Sequence, residues 1–389
     1  LVHKDRGAPS GAQHSLCRAQ VSAHDPRAVD KLRAGLGPDP LALVILFISP
    51  QADFQATVSS IRAHYLHTDV VACTTAGEIG AGGYVEGEII AVGFPADHFA
   101  TTSILIDGLS EQTPQGVLDR IALARLALQE GNLDKPHGFA FLAIDGLSLR
   151  EDTLTSVIAP ALRDMPLFGG SAGDGMDFAH TVVSLNGAVR QDAAVLTMIQ
   201  TDHRTKVFSI DHLVPTEKQM VVTGADPDRR IVKSINAEPA AREYARLVGK
   251  DPDQLDRFTF ASHPVVVRIG DSHHVRAIQQ VNEAGELVFF SAIDEGMVLT
   301  VAEPRNMAEH LQEQLDQIAE SGGLTDILGC DCVLRRIQAE QIQATRDLSD
   351  ILASHKVIGF STYGEQIGPL HVNHTMTGVA IYAQDPGRS

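Results

Sequence analysis

Two rhythms of apolar residues alternate along the chain. Short runs rich in β-branched residues read as buried strands, and apolar positions three to four apart read as helices. Residues 41–50 (LALVILFISP) are a buried strand by this reading. A helix follows over 51–67, with Phe54, Val58, Ile61 and Tyr65 on one side. Residues 70–80 (VVACTTAGEIG) begin as a strand and end in small residues, and 83–94 read as a further strand.

The same order returns near the end. Residues 331–337 (DCVLRRI) predict a strand, 340–355 a helix, 357–368 (VIGFSTYGEQIG) a strand and turn, and 375–382 a closing strand. Gln55-Ala56-Thr57 matches Gln343-Ala344-Thr345, and Thr74-Thr75-Ala76-Gly77-Glu78 matches Ser361-Thr362-Tyr363-Gly364-Glu365. A weaker copy lies between: strand 138–145, helix 151–162, turn 167–174 (LFGGSAGD), and a hairpin over 181–200 turning at Asn186-Gly187. Asn-Gly suits a tight hairpin because both positions need positive φ. The middle differs, with strands over 206–235 and 258–301, a short helix 239–247 and an amphipathic helix 304–321. The fold class expected is α+β (mixed α/β), with duplicated strand–helix–strand–hairpin units forming large sheets flanked by helices. The expected division is an N-terminal extension 1–40, partly disordered in its polar start 1–13, a domain 41–205, and a domain 218–385 beyond the polar, Pro-containing stretch 201–217.

The three turns carry the candidate chemistry. They hold Thr74, Thr75, Gly77 and Glu78; Gly170, Ser171 and Asp174; and Ser361, Thr362, Tyr363 and Glu365. Glycine lets a backbone approach a ligand, short hydroxyls donate and accept, and successive N–H groups can cradle an anion. If the copies pack about one centre, the turns converge on one pocket. Beyond the third turn, strict alternation puts His371, Asn373, Thr375 and Thr377 on one face and Val372, His374 and Met376 on the other. The polar face suits a ligand wall, or alternatively an exposed edge.

These motifs, CTTAGEIG, PLFGGSAGDG and GFSTYGEQIGPLHVNHTMTGVAIY, resemble those of FIST proteins, which pair an N-terminal with a C-terminal FIST domain. The resemblance implies a bacterial sensor in signal transduction that binds a small molecule, and compares best with haem proteins that sense nitric oxide. It implies as partners a histidine kinase or a cyclic-di-GMP enzyme, and is compatible with a homodimer. Under that reading His371, then His374, is the candidate haem axial ligand. A small-metabolite, amino-acid-like sensor without haem is the alternative.

Composition narrows the field. A net charge of −18 disfavours nucleic acid and anionic membrane as partners, and no apolar run reaches a bilayer span. Four cysteines in 389 residues form no disulfide framework, which fits a reducing cytoplasm. Cys330 and Cys332 form a C-x-C pair on an expected strand, either buried packing or half of a metal site. Gly169-Gly170-Ser171-Ala172-Gly173 has G-x-S-x-G spacing, which keeps a hydrolase using Ser171 as a less favoured alternative. No acid or histidine partner for it is recognisable in the sequence, so an enzyme is not expected.

Overall fold

A computed structural model describes residues 14–270 and 272–384, so the polar start 1–13 lies outside the described residues. The fold is α+β, with sheets of mixed strand direction and helices on their outer faces.

Three units of one topology make up most of it. Each runs strand, helix, strand, helix, strand, hairpin, strand. The first comprises Cys17–Ser22, Ala28–Leu36, Leu41–Ile48, Phe54–His64, Asp69–Thr74, the hairpin Glu78–Gly80 with Gly83–Val85, and Glu88–Pro95. Its opening strand and helix therefore precede residue 41. The second comprises Phe99–Asp107, Pro114–Gly131, His137–Ile144, Glu151–Leu162, Leu167–Ser171, the hairpin Val183–Leu185 with Ala188–Arg190, and Ala193–Thr201. The middle copy, faint in sequence, is complete in three dimensions.

The third unit begins with Thr205–Asp211, so strand pairing continues through the stretch read as a polar boundary. It resumes at the helix Met307–Ala319 and ends with Leu324–Cys332, two helices Val333–Gln341 and Thr345–Ser354, Val357–Thr362, the hairpin Glu365–Ile367 with Leu370–Val372, and Thr375–Tyr382. Residues 213–304 are an insertion in this unit, built on an antiparallel sheet whose strand Leu213–Asp226 is 14 residues long. The strand expected over 331–337 is corrected: the strand stops at Cys332, and a helix takes Val333 onward because Val333, Leu334 and Ile337 bury one helical side. Residues 83–94 likewise split into a hairpin strand and a closing strand, since Gly87 turns the chain at φ +71°.

In every unit the hairpin leaves its own sheet. The first unit's hairpin pairs with Val357–Thr362 of the third, with Gly359 opposite Ile79. The third unit's hairpin pairs with Leu167–Ser171 of the second, with Glu365 opposite Gly170. The second unit's hairpin pairs with Asp69–Thr74 of the first, with Val183 opposite Cys73. This cyclic exchange ties three six-stranded sheets into one body. Their inner faces share an aromatic core, where Phe47 stacks on Phe360 at 4.4 Å between ring centroids and meets Phe141 edge-on at 6.3 Å. Burying such large side chains contributes about 1.5–3 kcal/mol each.

Candidate functional site

The turns emerge where the paired strands end: Ile48 lies opposite Thr74, Ile144 opposite Ser171, and Cys332 opposite Thr362. Hairpin exchange brings all three together, and they bond in a ring. The Ala76 N–H donates to the Ser361 carbonyl at 2.9 Å, and the Ser361 N–H to Gly77 at 2.8 Å. The Gly173 N–H donates to Thr74 at 3.2 Å, the Ser171 N–H to Gly364 at 2.8 Å, and the Tyr363 N–H to Ser171 at 3.2 Å. These N–H groups therefore serve the neighbouring turn, so the anion cradle expected from the small residues does not form there.

The glycines let the turns close on one another. A Cβ on Gly170 would lie 2.4 Å from Thr362 Cγ2, and one on Gly77 would lie 2.0 Å from an Arg336 nitrogen. Thr75, Ser171 and Thr362 are fully buried at this hub. Thr75 and Thr362 each donate to the carboxylate three residues on, Glu78 and Glu365. Glu78 also accepts from the Glu88 N–H at 3.1 Å, and Glu365 from the Thr375 N–H at 3.3 Å. Burial outweighs these bonds: it raises the Glu78 carboxyl to about 7 and Glu365 well above the usual carboxylate range.

The second turn breaks the pattern. Ser171 Oγ accepts from the Gln366 amide at 3.0 Å instead of pairing with Asp174. Its hydrogen-bonding neighbour is thus the Gln366 amide, whose nitrogen also lies 3.3 Å from His371 Nδ1. Asp174 instead accepts from the N–H groups of Phe178, Ala179 and His180 and from the Tyr363 hydroxyl. Burial alone raises the Asp174 carboxyl, but these bonds prevail and hold it below its ordinary value. Tyr363 then stacks on Phe178 with ring centroids 4.4 Å apart.

Beyond Phe178 the structure opens into a cavity of about 450 Å³, a size usual for small-molecule sites. Its wall is mostly apolar: Met176 and Phe178 of the second unit, Phe258, Phe260, Ile278 and Phe290 of the insertion, and Leu334 and Ile337 of the third unit. Asp256, Arg257, Gln279 and Gln280 supply its polar groups. None of the turn residues singled out from sequence lines it.

The insertion is held over the hub by buried polar contacts. Arg230 pairs with Glu151 at 2.5 Å, each almost fully buried, and also donates to the Phe290 carbonyl. Arg276 donates to the His371 carbonyl at 3.2 Å, and Ser291 to Asn373 Oδ1 at 2.9 Å. Sequence reading missed Arg230, Arg276, Glu151 and Gln366. The available signal was a charged or amide side chain beside each apolar run, which does not identify its distant partner.

The strict alternation read over 371–377 is corrected. Leu370–Val372 and Thr375–Tyr382 are separate strands, and His374 turns between them at φ +53°. His371, Asn373, His374 and Thr375 are all buried, so this is no exposed edge. Burial holds His371 below its usual value and lowers His374 to about 3. Cys330 and Cys332 are fully buried thiols, raised by desolvation, as suits packing residues. Arg335 lies in the first turn of the helix after Cys332 and pairs with Asp331 at 2.7 Å.

The chain belongs to the FIST family: the FIST N domain matches residues 42–238 and the FIST C domain residues 240–368. A comparison with curated proteins found no match. FIST domains are small-ligand sensory domains of signal transduction. No helix among the described residues is long and apolar enough to cross a membrane.

Proposed function

We propose that this FIST-family chain senses a small organic metabolite with an apolar body and a polar end, amino-acid-like in character, bound in the cavity walled by Phe178 and Phe290. One observation carries the reading. Phe178 faces the cavity and stacks on Tyr363, whose hydroxyl fastens Asp174 beside the ring of turns. A ligand that displaces Phe178 changes the contacts of the hub, and this is the differential interaction a sensor requires. The cavity's apolar wall accepts the body of the ligand, while Arg257 and the glutamine pair suit a carboxylate or amide. The partner class, a histidine kinase or cyclic-di-GMP enzyme, rests on the family resemblance alone.

Haem fits this arrangement less well. His371 Nε2 and both nitrogens of His374 are buried without hydrogen-bond partners, as an axial ligand could be. Neither ring lines the cavity, and the His371 ring packs on Gly364, where a Cβ would lie 2.3 Å from Cε1.

The test is a thermal-shift screen of amino acids and aromatic carboxylates on the parent chain and on Ile337→Trp, which fills the cavity. A compound that raises Tm of the parent and not of the variant supports the assignment. Stabilisation shared equally by both places the ligand elsewhere. Titration with haemin decides the cofactor: a stoichiometric Soret band altered by His371→Ala or His374→Ala would replace the metabolite reading.

A further inference from the structure

The three sheets have a second pole, opposite the turns, where the units join. Leu41 lies opposite Pro95, His137 opposite Thr201, and Leu324 opposite Tyr382, so the unit-to-unit corners meet at the start of the paired strands. The first corner, residues 96–98, carries His98. The second, residues 202–204, carries Asp202 and His203. The third unit ends alongside at Tyr382 and Gln384.

These side chains cluster. The ligating atoms of His98, Asp202 and His203 all lie within 4.8 Å of one another. His98 Nδ1 is 3.0 Å from Asp202 Oδ2, and His203 Nε2 is 3.9 Å from Asp202 Oδ1. The His203 ring is fixed from behind: Nδ1 lies 2.8 Å from the Tyr382 carbonyl, and Phe99 stacks on the ring at 5.5 Å. A carbonyl only accepts, so Nδ1 carries the hydrogen and Nε2 presents its lone pair. Donation to a backbone carbonyl in this way is the usual support of a metal-ligating histidine.

That lone pair has no partner. His203 is 6% exposed, and its Nε2 and Asp202 Oδ1 are both buried atoms without a hydrogen-bond partner among the described residues. Two acceptors thus face each other across the gap, and a cation between them resolves the repulsion.

We propose that His98, Asp202 and His203 form a site for a borderline divalent metal ion, with zinc the best match, at the pole opposite the turns. Two imidazoles and one carboxylate suit zinc or cobalt, whereas calcium and magnesium take oxygen ligands. With ligand distances of about 2.0–2.1 Å, the His203–Asp202 gap closes by less than about 1 Å on binding. The Gln384 amide nitrogen sits 2.5 Å from Asp202 Oδ2 and 3.1 Å from His98 Nδ1, bridging them without an ion. Turned over, the same amide offers Oε1 as a fourth ligand. Such an ion would tie both inter-unit corners together.

The experiment uses the tag-free chain, stripped with chelator and titrated with zinc chloride by calorimetry and with cobalt chloride by visible absorption. One ion per chain is expected, with the visible absorption band of cobalt in a tetrahedral site of nitrogen and oxygen ligands. His98→Ala and His203→Ala are each expected to lower affinity at least tenfold and abolish the band. His98 is partly exposed on a turn, so its variant keeps the test valid even if His203→Ala fails to fold. Absence of stoichiometric binding to the parent overturns the proposal. Binding that survives His98→Ala with an unchanged cobalt spectrum also overturns it.

Discussion

The replacement Glu78→Gln tests the physical account of the hub. Glu78 is fully buried, and its carboxyl is raised from 4.5 to about 7 by desolvation. At 1.36 kcal/mol per pH unit, this corresponds to about 3 kcal/mol. The sign follows from proton binding. Between pH 4.5 and 7 the folded state holds a proton that the unfolded chain releases, so stability is full below this window and falls as pH rises through it. Above about pH 7 the contribution levels off. Glutamine has the same shape and does not titrate. Its carbonyl can accept from the Glu88 N–H, and the Thr75 hydroxyl can turn to accept from its amide. The variant should therefore match the parent near pH 4.5 and exceed it by up to about 3 kcal/mol at pH 7.5. Glu365 titrates in the same direction in both proteins and cancels in the difference, provided the two sites act independently. The chain has no tryptophan, so urea unfolding is followed by circular dichroism at several pH values. Parallel stability curves from pH 4.5 to 7.5, or a variant weaker than the parent at pH 7.5, would refute the reasoning.

Two further outcomes follow from the packing. Gly364→Ala places a Cβ 2.3 Å from His371 Cε1 and 2.9 Å from Asn373 Nδ2, which should cost about 1–3 kcal/mol and lower Tm; an unchanged Tm would mean that the His371 ring moves freely. Glu151→Ala leaves the Arg230 guanidinium buried with Asp152 at 3.5 Å as its remaining acid, so a loss of about 3–5 kcal/mol is expected, with faster proteolysis within residues 213–304. Cleavage at the parent rate would show that the ion pair does not hold the insertion down.

Much of the secondary structure was legible in sequence. The run at Leu41–Ile48 could only be a buried strand, the spacing of Val58 and Ile61 described a helix face, and Asn186-Gly187 placed a turn at φ +54° and +90°. The recurrence of small residues ending in an acid pointed to three equivalent turns. Which edge each hairpin would join was not legible. A three-residue strand alternates sides in the same way against any partner, so periodicity carries no record of the sheet it extends. That choice was made by closure of the three units, and the site depends on it. Phe178 meets Tyr363 from 185 residues away, and His98 meets Asp202 from 104. Sequence determined which residues are apolar, hydrogen-bonding or ligating, because those are properties of single side chains. Only the tertiary structure decided which of them share a cavity or a corner, because burial and proximity arise from contacts among all three units and the insertion together.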